Sequence, residues 1–362
     1  MTRRMLLLAS AVMVAAVGAT VGGQEGSPPL QTLPVRGNIH VIQGAGVNVV
    51  VSVGRDGVFI VDTGVPEHAD GLIAAVRRLQ AQLDLREAAL GFGAETRSSV
   101  ASRNIAAPPK PIRYIANTNA DPNHVGGNEK VRLAGRTFTG GNVAATITDA
   151  GRGAAILAHE NVMLRMTAGE ARASGDSLPT DTYFNDVMKL SHFFNGEGIQ
   201  LMHQPAAHSD GDSLVWFRGS DVIAAGDVYS TVTYPVIDRD RGGTINGIVD
   251  ALNRILALSI AEFRTEGGTL IIPSHGRISD SADVAYYRDM VTIIRDRVRA
   301  MIEKGMTLEQ VKASRPTADY EPRYGATTGS WTTDKFIEAV YVTLGGGRAV
   351  TPQAQPRRGQ TR

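Results

Sequence analysis

Asn117-Thr118-Asn119-Ala120-Asp121-Pro122-Asn123-His124-Val125-Gly126-Gly127-Asn128 is the stretch that decides the fold of this chain of 362 residues. It follows an apolar, β-type run at 112–116 and precedes a helix-compatible segment at 128–133. The pair Gly126-Gly127 predicts a tight backbone turn into that helix. The polar residues before it stand where a strand ends.

Two groups of β-type runs, each followed by helices, lie on either side of this stretch. Gly54-Arg55-Asp56-Gly57 reads as a hairpin turn because of its Asp-Gly pair. The pattern predicts an α/β (α+β) protein, a sandwich of two mixed β-sheets flanked by helices. The predicted strands are 38–42, 47–53, 57–61, 112–116, 187–194, 199–204, 213–217, 222–225 and 269–273. The predicted helices are 68–83, 245–258, 282–302, 308–313 and 334–344, with a short apolar run at 154–159.

The central stretch resembles the signature of the metallo-β-lactamase fold superfamily, Asn-Thr-His-x-His-x-Asp-His-Thr-Gly-Gly-Asn. The resemblance implies the αββα sandwich of that superfamily. The matching framework residues are Asn117, Thr118, His124, Gly126, Gly127 and Asn128. Three ligand positions differ: Asn119 and Asp121 stand in place of histidines, and Asn123 stands in place of an aspartate.

Three later loops extend the resemblance over about residues 36 to 344. His208-Ser209-Asp210-Gly211-Asp212 is similar to the family's His-Thr-x-Gly-Asp loop. Gly226-Asp227-Val228 resembles the segment whose carboxylate bridges two metals, and Pro273-Ser274-His275-Gly276 resembles the loop of the last ligand histidine. The resemblance implies metal ligands at Asp121, His124, His208, Asp227 and His275.

The replaced ligands imply an atypical centre. A first site would keep His208 and Asp227, with Asn119 and Asp121 in place of two imidazoles. A second would keep His124, His275 and Asp227, a common ligand set of catalytic sites with an open water position. One Zn²⁺, with a second and weaker one allowed, is the implied cofactor, and the harder oxygen ligands favour Fe or Mn²⁺ as alternatives. Asp121 and Asp227 are the catalytic candidates, acting through metal-activated water.

The remaining histidines have simpler interpretations. His40, His68, His192 and His203 are expected as surface or core residues, and His159, beside Glu160-Asn161, as a structural one. Asp62 ends a strand and is expected to brace the ligand loop by hydrogen bonds.

The first residues carry a localisation signal. Arg3 and Arg4 precede the apolar run 5–21 and small residues follow, which predicts a signal peptide at 1–23 and a periplasmic or secreted protein. A membrane anchor is the alternative.

The predicted organisation continues with a linker at 24–35, the metallo-β-lactamase-like domain at 36–344 and a disordered tail at 345–362. Within the domain we expect an inserted loop at 84–111 and a helical part at 281–344. The absence of cysteine excludes disulfides and thiolate ligands.

Three functions fit these residues. The first is an exported metal-dependent hydrolase that acts on an amide, lactone or ester bond of a small molecule. The second is a metal-poor binding protein, and the third is an iron oxidoreductase indicated by the acidic Asp121 alone. A net charge of +1 gives no reason to expect a nucleic-acid partner, and no membrane partner is expected after removal of the signal. The residues do not specify an oligomeric state.

Overall fold

A seven-stranded mixed sheet forms the first half of the molecule. The computed structural model describes residues 30–89, 111–137, 152–168, 173, 175–259 and 267–346. The first four strands pair antiparallel and the last four pair parallel, with neighbours in chain order. The strands are β1 (Gln31–Arg36), β2 (Ile39–Gln43), β3 (Val49–Gly54), β4 (Gly57–Val61), β5 (Ile112–Ala116), β6 (Ala155–His159) and β7 (Asp181–Tyr183).

A five-stranded sheet packs against the first. Its spatial order is β12, β11, β10, β9, β8, and the pair β11–β12 is parallel while the other neighbours are antiparallel. The sheet is therefore mixed as well. Its strands are β8 (Val187–Lys189), β9 (Ile199–His203), β10 (Ser213–Phe217), β11 (Val222–Ser230) and β12 (Leu270–His275).

Helices cover the outer face of each sheet. One apolar cluster joins the first sheet to α1 and α3, another joins the second sheet to α5, α6 and α9, and a third lies between the sheets. The four layers confirm the predicted αββα sandwich. The helices are α1 (Ala69–Ala89), α2 (Pro122–Val125), α3 (Asn128–Leu133), α4 (Glu160–Thr167), α5 (Ile245–Leu258), α6 (Ser281–Glu303), α7 (Leu308–Ala313), α8 (Glu321–Tyr324) and α9 (Thr333–Thr343).

Strand β3 shows why these sequences form a two-sided sheet. Val49, Val51 and Val53 face the helical layer, whereas Val50 faces the second sheet. Successive side chains of a strand point to opposite faces, so a continuous run of valine serves a sheet that is buried on both sides. The predicted hairpin turn is confirmed, because Gly54 pairs with Gly57 across Arg55 and Asp56.

Some element bounds differ from the predicted ones. Strand β1 begins at Gln31, inside the segment predicted as a linker, and α1 continues to Ala89, six residues past the predicted end of that helix. The predicted strand 187–194 was too long, because β8 ends at Lys189, and the predicted strand 222–225 was too short, because β11 continues to Ser230. Apolar content does not show where these two strands end. The chain turns within the largely apolar predicted strand after Lys189, at residues 190–196, whereas β11 continues through the polar residue Asp227.

Several predictions fall outside the part of the chain that the structure describes. They are the signal peptide at 1–23, residues 90–110 of the inserted loop and residues 347–362 of the tail. Within the described part, no helix combines the length and the apolar character needed to cross a bilayer.

Candidate metal centre

The centre lies at one edge of the sandwich, where several strands end. The loop after β5 carries Asn119 and Asp121, β11 carries Asp227, the β9–β10 loop carries His208, and β12 ends at His275. Carboxyl ends of neighbouring parallel strands meet at one edge of a sheet, which is where α/β proteins bind ligands. The residues that the sequence singled out therefore reach one place from distant segments.

Asp62 braces the loop after β5, as predicted. Its two carboxylate oxygens accept hydrogen bonds from the Thr118 amide at 2.8 Å and the Thr118 hydroxyl at 2.7 Å. The oxygen that accepts the hydroxyl also lies 2.9 Å from His124 Nδ1. Asp62 itself has φ 61°, a conformation that costs free energy in a non-glycine residue. The brace fixes the ring of His124, which is completely buried.

The glycine pair before α3 has a structural role, as predicted. Glycine is required there because another backbone segment lies too close to leave room for a side chain. A Cβ atom at Gly127 would lie 2.5 Å from the carbonyl oxygen of Thr63. The φ of Gly127 is −84°, which any residue can adopt. The loop thus needs glycine at this position because its backbone packs directly on the end of β4.

Gly226 directs the next residue, Asp227, into the centre. The pairing of β11 with β12 shifts register at Gly226, where φ is +53° and a Cβ atom would lie 2.8 Å from the Thr118 hydroxyl. A bulge of this kind bends a strand and changes the direction of a side chain. The local backbone, rather than a loop, therefore presents the carboxylate.

Asp227 is the residue that connects the others. Its Oδ2 lies 2.9 Å from His124 Nε2, 3.9 Å from His208 Nε2 and 3.0 Å from Asn119 Nδ2, which donates a hydrogen bond to it. Its Oδ1 accepts a hydrogen bond of 2.6 Å from the Ser274 hydroxyl and lies 4.0 Å from His275 Nε2. One carboxylate thus faces all three histidines that the sequence marked as ligands.

His208 faces Asp121 on the other side of the centre. Its Nε2 lies 3.2 Å from Asp121 Oδ2, and its Nδ1 lies 3.0 Å from the carbonyl oxygen of Val236. Because a carbonyl only accepts, Nδ1 carries a hydrogen, and Nε2 is the nitrogen available to a metal. This is the usual way in which a protein fixes the orientation of a metal-binding imidazole.

Arg241 is a residue of the centre that the sequence analysis missed. Its guanidinium contacts Asp121 Oδ1 and donates from Nε to Asp238 Oδ2 at 2.6 Å. The sequence contained no signal that Arg241 points inward, because the alternating Arg and Asp residues of 238–241 are typical of a solvated turn. The guanidinium neutralises one of the carboxylates that a metal would otherwise balance.

The replaced ligands Asn119 and Asn123 have different surroundings. The amide oxygen of Asn119 accepts the Asp121 amide hydrogen at 2.9 Å, while its NH₂ group faces Asp227. Asn119 therefore offers the centre a donor, and its oxygen serves the loop. Asn123 lies on the short helix α2 and is partly exposed.

The donors fit one divalent cation. The ligand atoms of Asp121, His208 and Asp227 lie within 4.8 Å of one another, which is the three-donor group found among the described residues. Metal–ligand bonds of about 2 Å give donor separations of about 3 to 4 Å, and the distances of 3.2 Å and 3.9 Å from His208 agree with that. This group corresponds to the first site of the sequence-based interpretation without Asn119, whereas His124 and His275 of the second site lie outside it.

Buried charges couple the members of the centre. Burial alone would lower the pKa of His124, but the carboxylates of Asp227 and Asp62 outweigh burial and raise that pKa well above its usual value. Burial would likewise raise the pKa of Asp227, yet His124 and His208 hold it well below its usual range. Without a metal, protons on the imidazoles supply the positive charge that the carboxylates require.

His275 differs from the other two histidines in exposure and charge. Its side chain is 41% exposed, and burial of the remainder lowers its pKa despite the opposing influence of Asp227. His275 is therefore neutral at neutral pH and lies at the mouth of the centre. His159 and His203 lie outside the donor group, stacked ring on ring at 3.6 Å.

Comparison with known proteins agrees with this architecture. The family model described as Metallo-beta-lactamase superfamily matches residues 42–275, which is more than half of the chain. The secondary alkylsulfatase Pisa1 from Pseudomonas sp. is similar in structure, with 14% identity, a TM-score of 0.56, and coverage of 90% of this chain and 52% of that one. A double mutant of the same sulfatase gives 15% identity, a TM-score of 0.57 and the same coverage.

The chain spans about half the length of that sulfatase. DIM-1 metallo-beta-lactamase aligns with a TM-score of 0.48 and 14% identity over 73% of this chain and 98% of that one. No curated protein sequence matches the chain. At 14% and 15% identity, the likeness to the sulfatase structures establishes the fold alone.

Proposed function

The chain belongs to the metallo-beta-lactamase superfamily, and from that premise we propose that it is an exported hydrolase with an atypical centre for one metal ion. Its substrate is a small molecule with an amide, lactone or ester bond. Export rests on the sequence, in which Arg3 and Arg4 precede an apolar run of signal-peptide type.

The observation that carries the proposal is the convergence of Asp121, His208 and Asp227 within 4.8 Å. The two carboxylates are hard ligands and the imidazole is a borderline one. Such a set of ligands accepts Zn²⁺, Fe or Mn²⁺. His124 adds support, because its buried Nε2 lies 2.9 Å from Asp227 Oδ2 without meeting the geometry of a hydrogen bond. A neutral imidazole at this position would present its lone pair to a cation beside Asp227.

Each residue has a task in this proposal. Asp121, His208 and Asp227 would hold a divalent cation, which would lower the pKa of a water molecule in the centre to about 7 and so supply a nucleophile at neutral pH. Asp227 keeps its orientation because Asn119 and Ser274 donate hydrogen bonds to its two oxygens. Val236 holds the ring of His208 through Nδ1.

We place His275 on the substrate side of the centre. It is half-buried at the mouth of the centre and neutral at neutral pH. A neutral imidazole can accept a proton and return it to a leaving group. We assign His275 the proton transfer that accompanies bond cleavage, while Asp121 and Asp227 hold the centre.

Elemental analysis of protein purified without chelator tests the proposal. We expect about one equivalent of transition metal in the wild type and a lower content after Asp121→Asn or Asp227→Asn, because each substitution should weaken metal affinity at least about tenfold. Asp70→Asn is the matched control, because Asp70 forms an exposed ion pair with Lys130 at 2.8 Å. A wild type with less than about a tenth of an equivalent, after loading with Zn²⁺, Fe or Mn²⁺, would contradict the proposal.

A metal-poor binding protein is the second candidate, favoured by one specific feature. The NH₂ group of Asn119 faces Asp227, and the guanidinium of Arg241 faces Asp121, so protein groups already compensate both carboxylates. In that case a chelator would leave the thermal stability unchanged. A bound transition metal would instead add to the free energy of unfolding, because it binds the folded state.

A further inference from the structure

The loop that carries His208 is held by groups with no part in metal binding. It joins β9 to β10, and its base is closed by the pairing of His203 with Ser213 and by a hydrogen bond of 2.8 Å from the Gln204 amide to the carbonyl oxygen of Asp212. Between these ends, the backbone amides of Thr244 and Asp238 donate to the carbonyl oxygens of Ala206 and His208. The side-chain contacts of the loop converge on Asp210, two residues after His208.

Asp210 uses its polar groups to connect three segments. Its carbonyl oxygen accepts from His203 Nε2 at 2.8 Å and from Asn161 Nδ2 at 2.8 Å, which occupies both lone pairs. Its carboxylate pairs with Arg165 at 2.5 Å, and its amide donates to the carbonyl oxygen of Arg241 at 2.8 Å. The contacts of Asp210 therefore connect the loop that carries His208 to the loop that carries Arg241, whose guanidinium contacts Asp121.

The ring of His203 is itself held in place. It stacks on His159 with ring centroids 3.6 Å apart and an angle of 8°. His159 is 3% exposed and meets Tyr183 edge-on at 5.1 Å. Because the Asp210 carbonyl only accepts, His203 must carry its hydrogen on Nε2. This stacking thus orients the ring of His203 so that its Nε2–H points across the base of the loop to the carbonyl oxygen of Asp210.

We propose that His203, together with Asn161, positions the metal-binding loop by donating to the carbonyl oxygen of Asp210. His203 is a positioning residue rather than a ligand, and it acts on both His208 and Arg241. The consequence for metal affinity rests on the proposed function, whereas the bracing of the loop does not.

Two substitutions at the same position separate the donor from the ring. His203→Phe keeps an aromatic ring on His159 and removes the donor, whereas His203→Gln supplies an amide donor without the ring. The matched control is His192→Phe, since His192 is an exposed histidine that contacts Tyr114 and Phe194.

The first measurement is amide hydrogen exchange of residues 204–212 in metal-free protein, followed by mass spectrometry. We expect His203→Phe to accelerate exchange of this loop about five- to tenfold, as loss of one hydrogen bond implies. His203→Gln should restore most of the protection, and His192→Phe should leave it unchanged. Unaltered exchange in His203→Phe overturns the proposal, as does equal acceleration in His203→Phe and His203→Gln.

The second measurement is the dissociation constant for Zn²⁺ by competition with a chromogenic chelator. We expect it to rise about 10- to 100-fold in His203→Phe, the range for loss of a group that orients a ligand, with recovery in His203→Gln. A faster-exchanging loop with an unchanged Zn²⁺ constant overturns the positioning role. If the loop responds as expected but the wild type binds no Zn²⁺, Fe or Mn²⁺, the brace is supported and the proposed function fails.

Discussion

In the proposed centre, the proton of His208 links metal binding to pH. Burial would lower its pKa, but the hydrogen bond that its imidazolium donates to Asp121 and the charges of Asp212 and Asp227 raise the pKa to about 10. A metal can bind Nε2 only after the proton leaves. Between pH 7 and 9 we therefore expect the metal affinity to rise about tenfold per pH unit for each proton displaced.

Calorimetric titration with Zn²⁺ in buffers of different ionisation enthalpy measures that proton directly. We expect release of at least one proton per metal at pH 7, and one fewer in His208→Gln, whose binding is also weaker. Release that is equal in the two proteins would show that the proton belongs to another group.

The raised pKa of His208 also predicts the direction in which the stability of the metal-free protein changes with pH. Because the folded pKa of His208 is about 10 and thus above the usual unfolded value near 6.5, its stabilising contribution is complete below about pH 6.5. It is lost as the pH rises through about 10. His124, whose pKa is also raised, acts in the same direction.

Thermal unfolding in the presence of chelator tests this sign. The midpoint should fall from pH 7 to pH 10, and the fall should be smaller in protein loaded with metal, since binding competes with the same proton. A midpoint that rises over this range without metal would contradict the assignment.

The replaced ligands allow a gain-of-site prediction. The combined substitutions Asn119→His, Asp121→His and Asn123→Asp restore the family pattern at all three positions. They should raise the metal content toward two equivalents, because two imidazoles and a carboxylate replace two amides and one carboxylate. Elemental analysis gives the result, and an unchanged content would show that the correspondence with the family's ligands is wrong.

At the scale of a secondary-structure element, the bulge of β11 decides where Asp227 points. Gly226→Ala adds a Cβ atom at φ +53° and 2.8 Å from the Thr118 hydroxyl. We expect a loss of unfolding free energy of about 2 to 4 kcal/mol, from backbone strain and the clash together. Metal content should fall as well, because the carboxylate is redirected.

Gly268→Ala is the matched control for that substitution. Gly268 has φ +64° with no atom within 4 Å of the added Cβ, so it reports backbone strain alone, about 1 to 2 kcal/mol. Urea unfolding measures both variants. Equal losses in the two would mean that the contact of Gly226 with Thr118 does not matter.

At the scale of the whole molecule, the metal would join both sheets. The loop of Asp121 follows a strand of the first sheet, whereas His208 and Asp227 belong to the second. A ligand that binds only the folded state stabilises it by about 2.7 kcal/mol at a hundredfold excess over Kd. We expect chelation to lower the unfolding midpoint by several degrees in the wild type and to have little effect in Asp227→Asn.

Calorimetry with and without chelator makes this comparison, and re-addition of Zn²⁺ or Mn²⁺ should restore the wild-type midpoint. Equal midpoints before and after chelation, in protein shown to be metal-loaded, would contradict a cation that connects the sheets.

The sequence by itself determined the sandwich and the residues at its functional edge. Alternating and continuous apolar runs predict strands because successive side chains of a strand point to opposite faces of the sheet. Short motifs made the loops recognisable that carry His124, His208, Asp227 and His275. Bounds such as the end of β11 were not predictable, because tertiary pairing with β12 overrides local polarity. Only the tertiary structure decided that Asp121, His208 and Asp227 form the close donor group, that Arg241 pairs with Asp121, and that Asn119 turns its NH₂ group toward Asp227. These outcomes depend on side-chain directions in loops that are distant along the chain, and the packing of the two sheets sets those directions.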